Sequence, residues 1–270
     1  MKQVNPKFYD KKYFEFQSSS PNFFKKLTSN KFNKKYQEIS NLIKLKPTDK
    51  ICDFGCGNGD LSFLLFLKYD CSITGIDYSH DAINICQTKL KLFKKNTNNK
   101  PKIKFYNLDN QHLPKLKNIK AVYFCDVFEH LYPQEIKLIV NQVSSWGNPD
   151  IVVHTDNDIY LKIIQPIIDA TTIITGKSTL KEVKQQKKFH QKRHVNLTNP
   201  KKLSQTMETF GYSQQILAYP KIDKETVINQ LGSLSKIKLL VKLSLFIVKL
   251  LPFLIPSFYS VYSSKNHKKI

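Results

Sequence analysis

Arginine is almost missing from this chain. Its 43 basic residues comprise 42 lysines and the single arginine Arg193. Arginine is the residue that grips phosphates and base edges with a rigid two-pronged fork. Its scarcity therefore argues against a nucleic-acid reader, although the net charge is +22. An anionic membrane surface ranks ahead of nucleic acid as the partner that such a charge attracts. A lysine excess beside many Asn and Ile residues is also what an AT-rich coding sequence leaves behind. The chain has no C-x-x-C pair either. Cysteines 52, 56, 71, 86 and 125 are an odd set spread over predicted strands and helices, where thiols act as packing residues. The expected setting is a reducing cytoplasm. The first twenty residues hold no apolar stretch, so no secretory signal is expected. The longest uncharged run, 250–264, contains Pro252 and Pro256 and falls short of the roughly 20 apolar residues that a membrane span needs.

What is present is enough apolar material for a full core: 41% of the 270 residues are hydrophobic and 12% aromatic. That suits one large domain with appendages. Residues 1–48 read as a basic helical cap. Strand-like segments at Lys50–Phe54, Ser72–Ile76, Ile103–Tyr106, Ala121–Cys125 and Ile151–His154 then alternate with predicted helices at 60–68, 79–95 and 134–146. Such alternation implies parallel βαβ units in a doubly wound α/β sheet. Residues 156–196 interrupt the rhythm with a polar, lysine-rich helical stretch, expected to be a lid-like insertion. Asn199-Pro200 signals a helix start, and a strand is expected over 212–218. The region 49–222 would form the main domain. In the tail, 223–270, a lysine-only apolar helix runs over 235–251, ahead of a closing strand near 258–262. That helix suits a bilayer interface or a packing site on the sheet or on a second subunit.

The most informative segment is Ile51-Cys52-Asp53-Phe54-Gly55-Cys56-Gly57-Asn58-Gly59-Asp60-Leu61-Ser62. It reads as a buried strand, a turn holding three of the chain's eight glycines, and a helix start. Glycine reaches positive φ freely and lets a ligand lie on bare backbone, while the helix start offers unpaired N–H groups. A dinucleotide fingerprint places its third glycine one residue later. Here Asp60 holds that place, where an acid is expected to repel a pyrophosphate. Asp77 ends the second strand, 20 residues after Gly57, where a carboxylate can accept both ribose hydroxyls of a nucleoside. Tyr78 follows, positioned to lie on the adenine. Asn107-Leu108-Asp109-Asn110 follows the third strand.

Taken in order, these segments resemble the motifs of class I S-adenosylmethionine-dependent methyltransferases over residues 50–218. The resemblance implies a Rossmann-like, doubly wound sheet of seven strands, with a helical N-terminal cap and a helical insertion before the sixth strand. It implies S-adenosylmethionine as the cofactor. Asp53, Gly55, Cys56, Gly57, Gly59, Asp77, Tyr78, Asp109, Asn110 and Asp126 would line the cofactor, with Asp109 meeting the adenine amino group. Cys125-Asp126-Val127-Phe128-Glu129-His130-Leu131 further resembles the E-V-x-E-H-L segment of ubiquinone-pathway O-methyltransferases (the type 11–12 group). Enzymes that methylate the terminal 2′-hydroxyl of small RNAs share that segment. In those relatives the acids and the histidine are associated with a divalent metal. The resemblance therefore implies Asp126, Glu129 and His130, joined by His194, around Mg2+ or Mn2+, ions suited to oxygen-rich sets. Asp126 stands where the relatives have Glu, Arg193 replaces the acid before His194, and Thr198 arrives one residue early. Without a metal, Glu129 and His130 would shape the pocket floor, and His130 or His194 would serve as general base.

His190 precedes His194 by four residues, but with Lys187, Lys188, Lys192 and Arg193 around it the expected reading is a solvated basic face. His80, His112 and His154 are expected to be structural or exposed. Between 176 and 202 nine basic residues face one acid, Glu182, so the insertion favours an anionic acceptor. The expected activity is O-methylation of a small-molecule, lipid-like, quinone-like or glycan hydroxyl. The protein would be cytoplasmic and peripheral at the inner face of the membrane. RNA 2′-O-methylation and non-catalytic binding of S-adenosylmethionine are the alternatives. The acceptor's identity and the oligomeric state are not legible in the sequence.

Overall fold

The computed structural model describes residues 32–97, 100–108, 113–231 and 238–265. Strand β1 (Lys50–Phe54) pairs in parallel with β2 (Ser72–Asp77) and with β4 (Ala121–Cys125). Outside β2 lies β3 (Ile103–Asn107), and outside β4 lies β5 (Asp150–Asp156), both also parallel. The last two strands are β6 (Tyr212–Ala218) and β7 (Ser257–Ser264). The seven-stranded order is β3-β2-β1-β4-β5-β7-β6.

The helices are α1 (Lys34–Ser40), α2 (Asp60–Tyr69), α3 (His80–Asn96), α4 (Pro133–Ser144), α5 (Asp158–Ile163), α6 (Gln165–Ile174), α7 (Leu180–Arg193), α8 (Pro200–Thr209), α9 (Lys224–Leu231) and α10 (Lys238–Leu250). Alternating side chains along the central strands feed two separate cores. Cys52, Phe54, Val122, Phe124, Ile151 and Val153 meet Phe128, Val140, Trp146 and Met207 on one face. Ile51, Ala121, Tyr123 and Val152 meet Phe63, Phe66 and Phe93 on the other. Burial on both faces explains why these strands read as unbroken apolar runs rather than as alternating ones.

The alternation of strand and helix implied parallel βαβ units, which β1 to β5 form, and β7 is laid in differently. It runs antiparallel to both β5 and β6. Antiparallel neighbours need no right-handed crossover over a sheet face, so the chain leaves β6, forms α9 and α10, and inserts β7 between two strands already laid down. The stretch after 222 therefore contributes an interior strand to the sheet. The insertion expected at 156–196 comprises α5, α6 and α7. Of the expected cap, 32–48 is described, and α1 packs on α2.

Candidate functional site

The crossovers leave β1 toward β2 and leave β4 toward β5, so the sheet's switch point lies between β1 and β4, where open α/β sheets take ligands at the carboxyl ends of their strands. The glycine turn closes β1 at that edge. Gly55 and Cys56 both donate their N–H to the Ile76 carbonyl, at 2.7 and 3.0 Å. Gly55 has φ +70°, and a Cβ there would stand 2.5 Å from Cγ2 of Val127, in the turn after β4. Gly59, at φ +81°, caps α2, and a Cβ there would come within 2.9 Å of the Cys86 sulfur. Both positions thus need glycine for conformation and for space.

Gly57 N–H donates to one carboxylate oxygen of Asp77, and Ser79 N–H to the other, each at 2.8 Å. Burial pushes the Asp77 carboxyl up to about 6, against the pull of those N–H groups. The Tyr78 N–H also bears on this carboxylate, which still has acceptor capacity left for a ligand hydroxyl. Asp53 is different. It is 1% exposed, accepts from the Ser62 hydroxyl at 2.6 Å, and is raised by burial to about 7. It fastens β1 to α2 beneath the turn. Cys56 is buried beside Cys86. Tyr78 packs with Tyr132 and Val195 around Ala82, next to the end of the insertion. Asp109 and Asn110 lie outside the described residues. Asp60 does not point a bare charge at a ligand, because Lys89 pairs with it at 2.7 Å. The exclusion of a dinucleotide therefore rests on the glycine spacing and not on repulsion.

The turn after β4 carries the second group. Asp126 is a left-handed non-glycine residue, φ +59°. Its carboxylate is held by Lys35 of α1 and by Nδ1 of His154, whose Nε2 meets the Ser257 hydroxyl at 2.9 Å. Burial alone would raise this carboxyl, but Lys35 and His154 outweigh it and hold it well below the usual carboxylate range. Glu129 is 2% exposed and accepts from the Thr155 hydroxyl at 2.8 Å. Burial first, then the charges of Asp126 and Asp156, pushes it well up.

Nδ1 of His130 lies 3.0 Å from the Arg193 carbonyl. A carbonyl only accepts, so Nδ1 carries the proton. Burial, with His194 and Arg193 adding to it, lowers the ring to about 4, which leaves it neutral with its acceptor lone pair at Nε2. The ring of His194 meets it edge to face at 4.7 Å. His194 closes α7, and its Nδ1 pairs with Asp156 at 2.9 Å.

The four residues that the resemblance assigns to a divalent metal do not fit one here. Asp126 is committed to Lys35 and His154, and Glu129 to Thr155. Among the described residues the donor groups that converge are Cys125, Asp126 and His154, and separately Asp156, His190 and His194. The structure joins His130 to His194 by ring contact, while Asp126 acts on His130 through its charge. His190 belongs to a cluster and not to a purely basic face, and His154 is a buried structural residue. Sequence reasoning missed Asp156, Lys35 and Lys89. The H-x-x-x-H spacing of 190 and 194 was the signal for the cluster, and its partner Asp156 carries none.

Residues 51–150 match the family profile described as a methyltransferase domain. The histone-lysine N-methyltransferase specific for H3 lysine 79 from Dictyostelium discoideum is 35% identical over 71 residues, and the match spans 24% of this chain and only 4% of that protein. Among solved structures, magnesium protoporphyrin IX methyltransferase from Synechocystis PCC 6803 with bound SAH superposes with a TM-score of 0.56 at 14% identity, covering 97% of this chain and 96% of that one. The methyltransferase domain of bacterial CtHen1-C gives 0.55 at 18% identity, over 86% and 99%. Geranyl diphosphate C-methyltransferase from Streptomyces coelicolor, in complex with Mg2+, geranyl diphosphate and S-adenosyl-L-homocysteine, gives 0.56 at 11%, over 92% and 85%. Residues 51–150 thus resemble a methyltransferase domain, within a sheet of the class I methyltransferase fold.

Proposed function

We propose that the chain is an S-adenosylmethionine-dependent methyltransferase acting on a hydroxyl of a lipid-like, quinone-like or glycan acceptor at an anionic membrane surface. The observation that carries the first part is the bonding of the left-handed glycine turn to the Asp77 carboxylate at the switch point. The neighbours solved with SAM or SAH support the same cofactor. The Asp77 oxygens would accept the ribose hydroxyls, Tyr78 would cover the adenine, and the turn from Gly55 to Gly59 would let the ligand lie on backbone. Bound there, S-adenosylmethionine supplies an electrophilic methyl group on a sulfonium. Holding the acceptor oxygen in line with that methyl is the largest contribution open to the protein. Nε2 of His130 is the candidate acceptor of the hydroxyl proton, in the same turn as Glu129, which Thr155 holds. Its lowered pKa makes it a weak base, so positioning carries more of the rate than proton removal does.

The acceptor class rests on α10. Leu239, Leu243, Phe246 and Leu250 are exposed there, and the helix's only charges are Lys238, Lys242 and Lys249. Apolar side chains edged by lysine suit the interface of an anionic bilayer. Among the described residues no helix is long and apolar enough to cross a membrane. Incubation with labelled S-adenosylmethionine and fractionated lysate tests the reading, which expects label in the lipid or small-molecule fraction. Label confined to RNA would favour the second reading, 2′-O-methylation, which draws on the exposed lysines of α7 and the net charge of +22. Cofactor binding with no label transferred would leave the non-catalytic alternative.

A further inference from the structure

We propose that Asp156, His190 and His194 form a transition-metal site that fastens the end of the insertion to the carboxyl end of β5. None of the four residues in the implied Asp126, Glu129, His130 and His194 set except His194 belongs to it. Asp156 is the last residue of β5, held by its pairing with Ser257 of β7. His190 and His194 stand four apart, one at the last turn of α7 and one at its cap, so both rings project from one side of the helix end. One oxygen of Asp156, Oδ2, faces both rings: 2.9 Å to Nδ1 of His194 and 3.4 Å to Nε2 of His190. All three donor atoms lie within 4.8 Å of one another.

Those spacings are what a small ion requires. Ligands about 2.0–2.2 Å from a tetrahedral zinc stand about 3.3 Å from each other, and the two measured separations fall on either side of that distance. The rings of His190 and His194 lie 3.7 Å apart, centroid to centroid, tilted by 39°. Each ring presents one nitrogen to the same Asp156 oxygen, and the stacked rings would have to splay apart to share one ion. The donor set selects the metal. Two imidazoles and one carboxylate suit zinc, cobalt or nickel, whereas magnesium asks for a nearly complete shell of oxygen. Three protein ligands leave a fourth position for water or a ligand oxygen.

The nearby cations do not block the site. Lys184, Lys187 and Lys188 are all exposed, so their ammonium groups can stay in water. The guanidinium of Arg193 lies over the Phe189 ring at 5.2 Å. Further bonds seat the same junction without using the cluster's donors: Nδ1 of His130 to the Arg193 carbonyl, and Asn196 N–H to the Glu129 carbonyl at 3.1 Å. A metal here would fasten the insertion to β5 next to Thr155, which bonds Glu129.

The site is tested on the full, untagged chain after chelator treatment, by titration calorimetry with zinc alone and by visible absorption with cobalt alone. Neither readout depends on the methyl-transfer reading. The expected result is one ion per chain, bound at micromolar concentration or tighter. His190→Ala and Asp156→Asn should each weaken binding at least tenfold, while Glu129→Gln changes it less than twofold. His190→Cys should keep cobalt and add a thiolate-to-metal charge-transfer band, which separates loss of a ligand from loss of the fold. No stoichiometric uptake by the unmodified chain would overturn the proposal. So would unchanged affinity in His190→Ala, or a loss in Glu129→Gln that equals the loss in His190→Ala.

Discussion

Gly55→Ala probes the contact that joins the two halves of the site. The substitution forces an alanine to φ +70°, and a left-handed residue with a Cβ costs about 1–2 kcal/mol. It also sets that Cβ 2.5 Å from Cγ2 of Val127, about 1 Å closer than carbon atoms prefer. Val127 is β-branched and stiff at χ1, so relief must come from backbone shifts of the kind that cost about 1–3 kcal/mol in overpacked cores. The expected destabilisation is about 2–5 kcal/mol, a large share of the roughly 5–15 kcal/mol that keeps a domain folded. Val127→Ala removes the clashing methyl and keeps the Val127 Cβ, at 3.6 Å. By itself it loses two buried methyl groups, about 1.6 kcal/mol. The double variant should therefore keep the conformational cost, shed the overlap, and fall short of additivity by about 1–3 kcal/mol. Urea unfolding followed through Trp146, the single tryptophan and a fully buried one, reads all four stabilities. A Gly55→Ala loss under about 0.5 kcal/mol, or strict additivity in the cycle, would refute the argument.

Four further outcomes follow from other parts of the structure. Asp77, raised by burial to about 6, must give up its proton to accept ribose hydroxyls, so affinity for S-adenosylmethionine should fall about tenfold per pH unit below 6. Asp77→Asn should abolish that slope, and calorimetry from pH 5 to 8 checks both. A carboxyl raised in the folded state favours folding at low pH, and that contribution is lost as pH climbs from the usual carboxylate range to the raised value. Stability should therefore decline from pH 4 to about 7 in the unmodified chain and less steeply in Asp53→Asn, as urea midpoints would report. Lys89→Met removes the cation paired with the buried Asp60 carboxylate and should cost about 3 kcal/mol, most of it recovered in the double variant with Asp60→Asn. For the membrane reading, combined Leu243→Glu, Phe246→Glu and Leu250→Glu should abolish flotation with anionic vesicles and leave the unfolding midpoint in place, because all three side chains are exposed. Equal flotation of both proteins would dismiss the docking role of α10. Truncation is no substitute, since cutting the tail removes β7 from the middle of the sheet.

The legible parts were those encoded within a few residues. The glycine turn announces its own conformation, because Gly55 and Gly59 sit where a Cβ meets Val127 and Cys86, and the strand before it is buried on both faces. The five parallel strands were legible for the same reason. The position of β7 was not, since pairing Ile151 with Tyr262 and Tyr212 with Ser264 depends on which edges remain open when the tail arrives. Charges paired across long separations were equally silent. Lys89 lies 29 residues from Asp60, and Lys35 lies 91 residues from Asp126. The repulsion argument at Asp60 and the metal role at Asp126 both depended on partners that only the fold brings together. His190 looked like part of a basic face because lysines flank it in sequence, whereas its partner Asp156 lies 34 residues away.

The central claim is that the turn from Gly55 to Gly59, bonded to Asp77, is built for S-adenosylmethionine. Titration calorimetry of the full chain with S-adenosylmethionine and S-adenosylhomocysteine at pH 7.5 tests it without knowledge of the acceptor. The account predicts one site per chain at micromolar concentration, weakened about 10-fold or more by Asp77→Asn through loss of a charge-assisted hydrogen bond. No heat of binding to either compound at millimolar concentration, or affinity indifferent to Asp77, would contradict it.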